Sequence, residues 1–291
     1  MSYAAVTALV VLAVGLSTLA PCLLAPVTGL RRSPGATLLL WQSASLAAVA
    51  AALLAAPVAA WGAGSRHPAL LALAVLVSGG MALRLLVSGH RVGTGLRRLR
   101  SHHRDLVDLI AAPRDRPAIG LPAGRGLRVL DHPSPTAYCL PGHRGRIVLS
   151  AGTLDRLGPE ELTAVLAHER AHLAARHDLV LELFSVLHHA VPARVRCEAA
   201  LSEVHLLVEA LADRRALHVT GPVPLARALV TLHEAAHPDA TLGAGTTTAR
   251  TRARLELIAA ADAPRRWQSV LMVTSSLVVG LTPWLIAVAG L

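Results

Sequence analysis

The chain has 291 residues, enough for one large domain or two small ones, and 53% of them are apolar, a share high for a soluble enzyme. Its formal charge of +10 rests on 28 basic residues, all arginine. They crowd beside apolar runs, as cytoplasmic membrane loops do, with neither zinc-finger spacing nor an aromatic platform, so direct nucleic-acid binding is not expected.

Four segments are long and apolar enough to span a bilayer, for which about 20 residues suffice: Tyr3 to Leu30, Ala36 to Gly62, Pro68 to Gly89, and Trp267 to Leu291. The first reads as a permanent span and not a cleaved signal, because Met1-Ser2-Tyr3 carries no side-chain charge and the apolar run is too long for a signal core. In the second, Trp41 and Trp61 are separated by about 30 Å of helix, so they mark either its two interfaces or internal packing. Arg84 in the third is within snorkelling reach of an interface. Cys22 lies in an apolar run and packs there, and Cys22, Cys139 and Cys197 are too scattered to set a disulfide framework.

Arginine placement gives the orientation. Loop one carries Arg31 and Arg32 and loop two only Arg66, whereas Arg91, Arg97, Arg98, Arg100 and Arg104 follow the third span. Arg250, Arg252, Arg254, Arg265 and Arg266 precede the fourth. The positive-inside rule then predicts a multi-pass cell-membrane protein with residues 90–266 cytoplasmic and both termini outside. The expected organisation is a three-helix membrane region over 1–89, a cytoplasmic domain over 90–266 and a last span over 267–291.

Within 90–266, Leu127 to Asp131, Thr136 to Leu140 and Arg146 to Ser150 read as short strands, the last two joined by the turn-rich 141–145. A helix starts near Pro159, with Glu160 and Glu161 in its first turn. Leu179 to Val191 is apolar but interrupted by Glu182, His188 and His189, and reads as a buried or interface-lying helix, with a re-entrant hairpin as the lesser alternative. A second helix runs from about Glu198 to His218. Residues 237–249 read as a flexible loop.

His168-Glu169-Arg170-Ala171-His172 spells H-E-x-x-H. On a helix, positions i and i+4 lie about 40° apart, so both imidazoles can grip one Zn²⁺, and Glu169 can take a proton from water attacking a peptide carbonyl. The plain alternative is two surface histidines flanking a glutamate. A third ligand should come from another helix, where Glu209 and His205 both qualify. Asp213, one turn beyond Glu209, could orient a ligand imidazole. Acids at i and i+4 repel slightly, which calls for a cation nearby. His177, five residues after His172, should fall off the ligand face. Tyr138, His205 and Arg214 are candidates for steadying an oxyanion.

Four segments together carry a resemblance: residues 135–142, residues 147–154, His168 to His172, and Glu209 to Asp213. They resemble integral-membrane gluzincin metallopeptidases, in both the BlaR/MecR-type antirepressor family and the related HtpX/CAAX-protease-like peptidases. The layout of three spans, a cytosolic domain and one further span looks more like the first. The resemblance implies a mostly α membrane protein, with four transmembrane helices and a small α+β zincin-like catalytic domain. It implies a zinc endopeptidase with one Zn²⁺ per chain, ligands His168, His172 and Glu209 (Glu209 in preference to His205), base Glu169, and Asp213 behind a ligand. It also implies that an edge strand containing Ala137, Tyr138 and Cys139 pairs with substrate backbone. No penicillin-binding sensor follows Leu291, so β-lactam sensing is not expected. The expected partners are the lipid bilayer and a protein or peptide substrate, such as a transcriptional repressor. The alternatives are a quality-control protease of the HtpX type, a non-catalytic signalling scaffold, and a protein that only anchors a partner.

Overall fold

A computed structural model describes residues 2–62, 68–111, 126–142, 145–236, 244–260 and 266–290. It is mostly helical and divides into two compact units. One is built from Met1–Thr94, Glu182–Leu207 and Pro264–Leu291, and the other from Gly95–Leu181 and Val208–Ala263.

The first unit holds four helical segments long and apolar enough to cross a membrane: Tyr3–Leu24, Pro34–Trp61, Pro68–Ile110 and Trp267–Gly290. The first is not one regular helix. Helix α1 (Ser2–Val14) passes through a π turn (Gly15–Leu19) into α2 (Ala20–Leu24). Pro21 supplies the reason, since its ring carries no N–H and clashes with the carbonyl four residues back, which a widened turn relieves. Helix α3 (Pro34–Gly62) packs on both α1 and α11 (Arg266–Gly290). Its Ala51, Ala52, Ala55 and Ala59 are fully buried against Val6 and Leu9. Small side chains let helices approach closely, the usual basis of packing in a lipid setting. A Cβ on Gly290 would come within 2.5 Å of the Ala5 methyl, which shows how tight that approach is. Leu76, Leu86, Val270 and Leu285 point outward and exposed, a surface that suits lipid and not water.

Several sequence readings are refined by the structure of these helices. Helix α4 does not end near Gly89 but continues from Pro68 to Ile110, because nothing in His90 to Arg104 breaks a helix. Trp41 is 3% exposed and turned inward, whereas Trp61 is exposed. The Arg84 Nε donates to the carbonyl of Ala190, and so satisfies the end of helix α7 (His177–Ala190). Residues 179–190 belong to that single continuous helix and not to a hairpin. The buried Glu203 is held by Arg31 through two hydrogen bonds of 2.8 and 2.7 Å.

The second unit is built on a three-stranded sheet in the order β1-β3-β2. The strands β1 (Leu127–Leu130), β2 (Ala137–Leu140) and β3 (Arg146–Ser150) fall within the expected segments. β3 pairs parallel with β1 and antiparallel with β2, so β2 is an edge strand. Val148 and Leu149 of β3 are fully buried, as a central strand covered on both faces requires. Helix α5 (Ala151–Arg156) follows at once, and its N-cap Ser150 accepts a hydrogen bond from the Thr153 amide. Gly152 sits where a Cβ would fall 1.9 Å from the Pro133 carbonyl oxygen, so no other residue fits without moving backbone.

Helix α6 (Pro159–Ala174) starts as its sequence dictates, with proline in the first turn and the Glu161 carboxylate accepting from the Gly158 amide at 3.0 Å. Leu162, Val165 and Leu166 seat it against Ile147 and Leu149 of the sheet. Arg176, at φ 51°, breaks the chain between α6 and α7. Helix α8 (Glu198–Thr220) and α9 (Pro222–Ala236) follow. The loop expected over 237–249 is corrected in part: 237–243 lie outside the described residues, but helix α10 (Ala244–Ala259) begins inside that range. Threonine and alanine tolerate a helix there once Ile258 is buried against Ala164, Ala216 and Leu225.

Candidate active site

Helix α6 presents His168 and His172 one turn apart, and α8 brings Glu209 against them. The His168 and His172 Nε2 atoms are 3.1 Å apart. Glu209 places Oε2 3.4 Å from the first and Oε1 3.5 Å from the second. These three side chains form a group able to hold a metal ion. His205 is not in it, so of the two candidates for a third position Glu209 is the one beside the imidazoles.

Behind the group, Asp213 Oδ1 lies 2.9 Å from His168 Nδ1, the ring nitrogen turned away from Glu209. His177 Nδ1 lies 3.0 Å from His172 Nδ1 and holds the second ring in the same manner. In a continuous helix His177, five positions on, would fall off the ligand face. α6 has ended by Ala174, and His177 opens α7, which returns it to the site.

Sequence reasoning also left Arg254 out, treating it only as a topological marker. From α10 its Nη1 reaches Glu209 Oε2 at 2.9 Å, while Nε and Nη2 grip both Asp213 oxygens at 2.8 and 2.6 Å. It is the cation that two acids one turn apart call for. Only the signal of those paired acids could have suggested it, and nothing in sequence says which arginine answers.

Burial and charge shape the titrations. Burial pushes the Glu169 carboxyl up, despite the opposing pull of His168. Burial drives His172 down to about 4. At His168 burial also opposes charge, but the hydrogen bonds to Asp213 and Glu209 outweigh it and lift the ring to about 9. Burial would raise Glu209 and Asp213 too, yet contacts with His168 and Arg254 hold both well below the usual carboxylate range. The surroundings of His168 Nε2 therefore favour positive charge.

The donors suit a small divalent ion. One ligand atom from each of the three residues lies within 4.8 Å of the other two, close enough for a single ion to bridge them with bonds of about 2.0–2.1 Å after a small adjustment. Two imidazoles and a carboxylate are a typical zinc set that leaves a position open.

The cleft over these residues has a volume of about 680 Å³. β2 supplies one wall through Ala137, Tyr138 and Cys139, and Glu169 shares the lining with Arg100, His233 and Arg254. Tyr138 hydroxyl is 3.0 Å from His103 Nε2, and burial raises its pKa. Burial and the neighbouring Glu169 carboxylate push the Cys139 thiol up, so it stays protonated. Of the three oxyanion candidates only Tyr138 lines the cleft; His205 and Arg214 do not.

The model of peptidase family M48 matches residues 114–196. This supports a zincin-type metallopeptidase. The match takes in the sheet, α6 with its H-E-x-x-H, and α7, but stops short of Glu209, Asp213 and Arg254, and it covers well under half of the chain. It does not separate the BlaR/MecR type from the HtpX type. No solved structure matches the chain.

Proposed function

We propose that the chain is a membrane-embedded zinc endopeptidase that cleaves a cytosolic or membrane-proximal protein, a transcriptional repressor being one fitting substrate. The observation that carries this is the triangle of His168, His172 and Glu209 with Glu169 beside it in a cleft walled by an edge strand. Zinc bound there supplies a Lewis acid that polarises a carbonyl and makes water nucleophilic near neutral pH.

The protein's own residues do the rest. Asp213 and His177 fix the ring orientations of His168 and His172, so that both Nε2 lone pairs point inward. Arg254 keeps Glu209 and Asp213 ionised. A substrate strand adds to the outer edge of β2 by backbone hydrogen bonds, which hold the scissile peptide over Glu169 independently of most side chains. Glu169, its pKa raised by burial, accepts a proton from the attacking water and returns it to the leaving amine.

The test is Glu169→Gln in the purified full-length chain. Zinc content should stay near one per chain, while hydrolysis of a generic unfolded protein falls by about 10²–10⁴-fold, the usual worth of a general base. A wild-type chain that takes up no zinc would overturn the metallopeptidase reading. Equal activity in the variant would leave a metal-holding scaffold.

A further inference from the structure

The unit with the four long apolar helices has a cleft of its own. Leu16 and Pro21 at the π turn, Ala48 of α3, Leu85 of α4, Phe184 of α7 and Val204 of α8 supply apolar walls. Its volume is about 80 Å³, against about 680 Å³ for the active-site cleft. It is therefore a narrow slot, which suits a linear chain better than a ring system or a folded peptide.

Two of the residues that line this slot carry a buried donor without an acceptor. The Trp41 indole Nε1 is buried and unpartnered, on a residue 3% exposed. The Arg196 Nε is likewise buried and unpartnered, although the same guanidinium donates through Nη2 to the Val191 carbonyl at 3.1 Å. Both residues line the cleft. Buried donors are almost always satisfied, so two orphans on one apolar slot call for a molecule that brings acceptors and an apolar body together. Trp41 also sits only seven residues into α3, about 10 Å past the loop bearing Arg31 and Arg32. At that depth a lipid changes from ester carbonyl to hydrocarbon.

We infer that this cleft binds one glycerophospholipid of the cytoplasmic leaflet. One acyl chain fills the slot, an ester carbonyl accepts from Trp41 Nε1, and the phosphate lies by Arg196. Leu16 and Ser17 of the π turn and Pro21 just after it line the slot, so the irregular stretch of the first span lies at its wall. The inference rests on the membrane placement of this unit and is independent of the peptidase reading.

The full-length chain, extracted in mild detergent, is examined by native mass spectrometry. In bilayers it is labelled with a phosphatidylglycerol carrying a photoreactive acyl chain. We expect one phosphorus-containing lipid to stay on each chain, with label on Leu85, Phe184 or Val204. Ala48→Phe, which fills the slot, should cut retention about tenfold or more, whereas Leu76→Phe on the exposed face leaves it unchanged. Recovery of only detergent or a free fatty acid, or label confined to outward residues such as Leu76, Leu86 and Val270, would overturn the assignment. Should Ala48→Phe fail to fold, labelling of the unaltered chain decides. A chain that washes off membranes with alkaline carbonate refutes the lipid site, and does so without touching the zinc test.

Discussion

At the residue scale, the informative side chain is Arg254. It is buried among Glu209, Asp213 and, through the field it exerts, Glu169. Replacing it by methionine keeps the packing volume but leaves two buried carboxylates without their cation. Removing one partner of such a network costs about 3–5 kcal/mol. The metal-free Arg254→Met chain should therefore unfold several degrees lower than wild type in a thermal melt, with zinc recovering part of the loss by replacing the missing charge. No change in the melting temperature would show that the acids are solvated or protonated instead. The H-E-x-x-H residues and Glu209 could be read from the chain, because helix periodicity puts i and i+4 on one face whatever surrounds them. His177 and Arg254 could not, because each arrives after a break in the chain whose angle no local pattern records.

At the element scale, the site depends on where the sheet holds α6 and on an edge strand left open beside it. The connection from β3 into α5 is the tightest point, with Ser150, Thr153 and Thr136 in one hydrogen-bonded knot and Gly152 pressed on the Pro133 carbonyl. Gly152→Ala should destabilise the chain by about 1–3 kcal/mol through forced backbone movement. Gly95→Ala, where a Cβ meets nothing within 4 Å, should be neutral or slightly stabilising by helix propensity. Denaturant melts of the two variants test this, and equal effects would mean that the turn yields freely. Strands and the starts of α6 and α8 were legible because turn residues and caps are local signals. The existence of α10 was missed for a related reason: a threonine-rich stretch has a weak helix preference, and packing such as that of Ile258 decides it.

At the scale of the whole molecule, the hydrophobic runs suggest a membrane protein, and the placement of the arginines predicts its orientation. Alkaline phosphatase fused after Leu291 should be active, and fused after Arg104 inactive, since the reporter works only outside the cytoplasm. The reverse pattern would move residues 95–263 to the other side and remove cytosolic proteins as substrates. The sequence alone determined which segments are apolar enough to enter a bilayer, where the basic loops lie, and which residues share a helix face. All three follow from composition and from the 3.6-residue period. Only the tertiary structure decided that α8 and α10 converge on α6, that Trp41 turns inward to an apolar slot, and that an arginine stands between two acids. Those are meetings of residues distant in sequence, fixed by the burial of whole helices and by the pairing of buried charge.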